Sequence, residues 1–215
     1  MSLRPLLLAA IAGLFAANAS AAVLFSTLGQ GVNTTGILND ADIRFASDFE
    51  TAGSGATITG LTLNLSNGDT TAHNFKTSIF SDLGGTVGAF LTDFSTEVIA
   101  ANQVGAINKL FTHAGYSLAA NTKYWVVIEM LEDIVDNGID VTWTGNTNDG
   151  IDAGGSFLEV TSSNTQVSFD AGASWGNFQP GNFLFNVIGT TVVPEPSRAV
   201  LAIAGLFILG FRRRR

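Results

Sequence analysis

The chain has 215 residues, 46% of them hydrophobic and only 13% charged, with 24 glycines and no cysteine. That composition supplies a core for one domain and excludes wholesale disorder, a disulfide framework, a thiolate nucleophile and a cysteine-based metal site. The formal net charge of −8 understates the middle of the chain, where Arg44, Lys76, Lys109 and Lys123 face every acid except Glu195, four bases against seventeen acids or about −13, a balance that repels nucleic acid and anionic lipid and suits cations or neutral polysaccharide.

From the N-terminus, residues 1–21 have the layout of a secretory signal peptide. Arg4 is its positive segment and Leu6 to Ala17 its apolar segment. Ala19-Ser20-Ala21 offers small residues for cleavage, with Ala17-Asn18-Ala19 as a second candidate. Ala19 and Ala21 are therefore the expected cleavage residues, and the exported protein begins near Ala22.

Residues 22–190 read as strands throughout. Leu61, Leu63 and Leu65 alternate with Thr62 and Asn64, and Phe75, Thr77 and Ile79 alternate with Lys76 and Ser78. Tyr124-Trp125-Val126-Val127-Ile128 is a continuous aromatic and β-branched run, suited to a strand buried on both faces. Phe183 to Ile188 is a last such run. Turn signals separate the strands at Asn67-Gly68-Asp69, Gly84-Gly85, Asp136-Asn137-Gly138, Asn148-Asp149-Gly150, Gly154-Gly155 and Asp170-Ala171-Gly172. No window shows a helical stripe. The expected fold is all-β, a jelly-roll-like antiparallel β-sandwich, with Ile79, Trp125, Val127, Phe183 and Phe185 buried.

Two stretches of this region carry a resemblance. Thr77-Ser78-Ile79-Phe80-Ser81-Asp82-Leu83-Gly84-Gly85-Thr86-Val87-Gly88 and Leu118-Ala119-Ala120-Asn121-Thr122-Lys123-Tyr124-Trp125-Val126-Val127 resemble two elements of choice-of-anchor R domains. Val87 departs from the pattern, which prefers Pro at that turn position. The resemblance implies an exported surface domain and no particular chemistry. Read physically, the first stretch supplies glycines for positive φ between two strands, and Asn121-Thr122 turns the chain into the Tyr124-Trp125 strand.

Residues 191–215 form a distinct tail. Pro194-Glu195-Pro196 must be extended and accessible, because two prolines at i and i+2 forbid a helix or a central strand. Ser197 is placed to cap a short apolar helix over 198–211, whose run Ala199 to Phe211 is short for a bilayer span. Arg212, Arg213, Arg214 and Arg215 follow at once and stay on the cytoplasmic side by the positive-inside rule. The combination resembles the PEP-CTERM sorting signal. The resemblance implies recognition by exosortase, transient membrane retention through the helix and arginines, removal of the tail, and delivery to a cell surface or matrix rich in extracellular polysaccharide.

Catalytic patterns are weak. Gly172-Ala173-Ser174-Trp175-Gly176 fits the G-x-S-x-G nucleophile elbow, but a loop follows it, and both His73 and His113 precede Ser174. The two histidines lack a third His or a Cys to complete a metal site. Glu129, Glu132, Asp133, Asp136 and Asp140 crowd one region, and Asp149 and Asp152 another, without the spacing of a known calcium loop. The expectation is therefore a non-enzymatic structural or adhesive protein with no cofactor, metal or nucleic-acid partner. The alternative is a carbohydrate-binding module that stacks sugars on Trp143, Trp175 or Tyr116.

Overall fold

The computed structural model describes residues 21–29, 31–32, 34–132, 141–146 and 164–191. Ala19, the turns at 136–138, 148–150 and 154–155, and the whole tail with Pro194, Glu195, Pro196 and Arg212 to Arg215 lie outside the described residues. So does the expected helix over 198–211. No helix among the described residues is long and apolar enough to cross a membrane.

The described residues form thirteen strands and no helix. In chain order these are β1 (Ala22–Ser26), β2 (Thr34–Leu38), β3 (Arg44–Glu50), β4 (Ala56–Asn67), β5 (His73–Asp82), β6 (Val87–Ile99) and β7 (Gln103–Leu118). They continue as β8 (Lys123–Met130), β9 (Val141–Asn146), β10 (Asn164–Ser168), β11 (Gly176–Pro180), β12 (Asn182–Phe183) and β13 (Phe185–Thr191). Sheet A runs β1-β13-β4-β9-β12, with β2 added on β9 and β7 on β4; sheet B runs β11-β10-β3-β8-β5-β6. Every pairing is antiparallel. From β2 to β5 and from β6 to β10 each strand lies in the other sheet from its predecessor, so the two sheets are stitched together by their connections.

The core lies between the sheets and follows from period-two patterning. Leu61, Leu63 and Leu65 of β4 are fully buried against Phe75 and Ile79 of β5 and Val126 and Ile128 of β8. Five aromatic rings organise its centre: Trp143 stacks on Phe183 at 4.3 Å and 14°, and Phe25, Phe49 and Phe185 pack around each other. The Trp143 indole N–H donates to the Leu184 carbonyl at 3.1 Å, as a buried indole must. Leu184 also wedges β9 away from β4. Its N–H donates to the Thr144 carbonyl and its own carbonyl accepts from Asn64, which separates the β12 pairing with β9 from the β13 pairing with β4.

All five residues expected to be buried are so. Two of them sit elsewhere than in the inter-sheet core. Trp125 and Val127 alternate with Tyr124, Val126 and Ile128, so they point to the outer face of sheet B, where they form a second cluster with Ala46 and Val87. Half-buried Phe80 and Trp175 cover it. The Trp125 indole N–H donates to Asp82 at 2.9 Å.

Candidate functional site

The β10–β11 hairpin projects from one end of sheet B. Its turn, Phe169 to Trp175, is shaped by one carboxylate. Asp170 Oδ1 accepts from the Ser168 hydroxyl at 2.7 Å and the Ser174 amide at 2.8 Å, and Oδ2 accepts from the Ser174 hydroxyl at 2.6 Å. These hydrogen bonds, with Ser174 first among them, hold the Asp170 carboxyl down at about 2. Ala171 and Gly172 take positive φ of 55° and 88°, and the Ala171 amide donates to the Asp42 carbonyl ahead of β3.

An open groove of about 400 Å³ runs over this turn, lined by Phe169, Asp170, Ser174, Trp175 and Asn177 among others. Phe169 is 70% exposed, and Trp175 rests one side on the Trp125 cluster while remaining half-exposed. Apolar walls with a few polar groups are the usual make-up of a small-ligand site. Its acid is a poor proton acceptor, since a general base works best with a pKa near the operating pH.

Below the hairpin a row of alternating charge crosses sheet B. Arg44 Nη2 reaches Glu129 Oε2 at 2.6 Å, Lys76 Nζ reaches Glu129 Oε1 at 2.8 Å, and Lys76 extends to Asp93 at 3.6 Å. The hydrogen bond to Glu129 raises the Lys76 ammonium above its ordinary value. Lys123 pairs with fully buried Asp48 at 2.8 Å, and Lys109 with Glu97 at 3.1 Å. Each of the four cations between the chain's ends is thus committed to a carboxylate, and the surplus charge of the body is acidic.

The structure separates the other candidate residues. Ser174 spends its hydroxyl on Asp170, and no helix follows it among the described residues. His73 is buried against Asp69 at 2.7 Å and Thr71 at 3.0 Å, with Glu132 Oε2 4.0 Å from its other nitrogen. His113 lies on β7, bonded to Thr92 of β6 at 3.1 Å and accepting from the Gly115 amide at 2.8 Å. The two histidines serve different strands, and neither contacts Ser174. Among the described residues no three His, Asp or Glu side chains gather as a metal site. Glu129 is held by Arg44 and Lys76, and Glu132 by the amide of Asn74; Asp133, Asp136, Asp140, Asp149 and Asp152 lie outside the described residues.

Of the three aromatic residues named for sugar stacking, Trp143 is corrected by the structure: both faces of its ring are consumed by the core, which leaves it no exposed surface. Tyr116 is half-buried against the core beside His113. Trp175 remains. Phe169 joins it unforeseen; only its place at the head of the Asp170-Ala171-Gly172 turn could have pointed to it. No protein-family model matches the chain, and no curated protein matches it.

Proposed function

We propose that this chain is an exported, surface-sorted protein of structural or adhesive type, without catalytic activity, associated with extracellular polysaccharide. On this reading residues 1–21 direct export, 22–190 form a jelly-roll-like domain of the choice-of-anchor R type, and 191–215 are a PEP-CTERM tail. Exosortase reads Pro194, Glu195 and Pro196 while Arg212 to Arg215 hold the precursor in the membrane, and then removes the tail.

The observation that carries the reading is where the first and last strands lie. β1 and β13 are hydrogen-bonded neighbours, with Ala22 opposite Gly189, and Thr191 lies opposite Ala56. Leader and tail therefore join the sandwich at one corner. The β10–β11 turn lies at the other end, on the level of Arg44 and Glu129, whereas Glu50 and Lys123 lie toward the corner. A body tethered by its tail would turn the Phe169–Trp175 groove outward. The two family-like stretches support the reading as well: Gly84 and Gly85 have φ of 66° and 91° between β5 and β6, and Asn121 has φ of 49° before β8. The groove favours a second reading, a carbohydrate-binding module in which Trp175 and Phe169 stack on sugar.

The test is replacement of Pro194-Glu195-Pro196 by three alanines in the native host. Export should continue while uncut precursor accumulates in the membrane; serines in place of Arg212 to Arg215 should release it. Unchanged processing of the alanine variant overturns the reading.

A further inference from the structure

Charge is segregated between the sheets. Among the described residues, Lys109 is the single Asp, Glu, Lys or Arg in the strands of sheet A, and all other charged strand residues belong to sheet B. Lys109 itself turns to the edge, to Glu97 of β6. The outer face of sheet A is therefore neutral on a body that is otherwise strongly acidic.

This face is also largely self-satisfied. Asn64 donates to Asn108 at 2.8 Å, the Ser66 and Thr142 hydroxyls are 2.7 Å apart, and the Thr144 hydroxyl bonds Asn64. Its middle is apolar. Gly60 lies opposite Thr112 and Ile188, and a Cβ there would meet Leu110 Cδ1 at 3.1 Å and Ile188 Cβ at 3.6 Å, so Leu110 and Ile188 flank a shallow dent. Val23 pairs with Ile188, and Leu110 and Val23 are each 45% exposed. The outward residues of these strands include no aromatic ring on which a sugar could stack.

We propose that the outer face of sheet A packs against the same face of a second copy, as an isologous dimer. Two such acidic bodies repel through their other surfaces, and this face permits close approach without opposing carboxylates. The area is adequate. β7 and β4 run side by side with β13 and β1 at one end and β9 and β2 at the other, a width of four strands along the 12 residues of β4. At about 4.8 Å per strand and about 3.3 Å per residue this is ~760 Å² per copy, close to the ~800 Å² per partner of a stable interface.

The test is sedimentation of the full chain in nonionic detergent, which keeps its apolar tail dispersed. Two copies per particle are expected at about 10 μM, on the order of ten times a micromolar dissociation constant. Leu110→Glu, at an already exposed position, should give single copies. Leu83→Glu, 70% exposed between β5 and β6, should leave pairs intact. Because the chain has no cysteine, Thr62→Cys should oxidise to a linked pair and Leu83→Cys should not. Single copies of the parent chain up to about 100 μM overturn the proposal. So do pairs that survive Leu110→Glu, which would come from the tail, and equal loss in both glutamate variants. A single copy that binds a neutral dextran oligosaccharide, and loses it in Leu110→Glu, gives the face to glycan and overturns the dimer.

Discussion

Trp125→Ala should destabilise the protein by about 3–5 kcal/mol, the usual range for a buried tryptophan. The ring is fully buried but lies on the outer face of sheet B, under Trp175 and Phe80 and beside Ala46, Val87 and Val127. Two features place the loss toward the lower part of that range. Asp82, which accepts the indole N–H at 2.9 Å, is only half-buried, so water can replace the lost donor. The covering Trp175 is also half-exposed, so the vacated space is partly open to water rather than sealed. Trp143→Ala removes a ring stacked at 4.3 Å inside the core and one of the two donors to the Leu184 carbonyl, and should cost at least as much. Urea unfolding followed by far-ultraviolet circular dichroism measures both. With a slope of about 1–3 kcal/mol/M, Trp125→Ala should lower the midpoint by roughly 2 M without changing the slope. A loss below about 1 kcal/mol would refute a packed outer cluster, because so small a value belongs to a solvent-exposed ring.

Three further outcomes follow from local geometry. Burial is the largest influence on Asp48 and raises its carboxyl above the ordinary 3.8, against the lowering by Asn164 and Lys123. The folded protein thus binds this proton more tightly than the unfolded chain, and the stability owed to Asp48 falls as pH rises from about 3.8 through the raised value. The wild-type-minus-Asp48→Asn stability difference should fall across that window and level off above it; a difference rising with pH refutes the assignment. Gly189→Ala should destabilise by about 1–3 kcal/mol in the same urea assay, since the added Cβ would clash with the Thr57 carbonyl oxygen across the β13–β4 bulge. If the groove binds neutral oligosaccharide, Phe169→Ala with Trp175→Ala should abolish binding on a glycan array and Tyr116→Ala should spare it; the reverse pattern would move the site to the β6–β7 seam.

Much of the sandwich is legible in single residues. The leucines at 61, 63 and 65 and the Tyr124–Ile128 run announce strands because side-chain alternation is local, and Gly84-Gly85 and Asp170-Ala171-Gly172 announce turns because positive φ is local. What the sequence hides depends on pairing. Trp125 reads as a core residue, yet which sheet face it covers depends on its register with Asp48 and Phe80. Trp143 reads equally well as a sugar platform until Phe183, forty residues on, stacks against it. The neutrality of one face is invisible in a composition of net charge −8, because charges spread along the chain are sorted only when the strands take their places in two sheets. The groove is half legible: the turn chemistry is plain, but the single hint that Phe169 stays outside is its place at the head of that turn.

The most direct test of surface sorting with removal of the tail is the mass of the C-terminal peptide of the protein extracted from the surface of its native host. The expected result is a peptide that ends near Pro194-Glu195-Pro196 and lacks Ala199 to Arg215. Recovery of a mature surface protein that still carries Arg212 to Arg215 would contradict it and make the tail a permanent anchor.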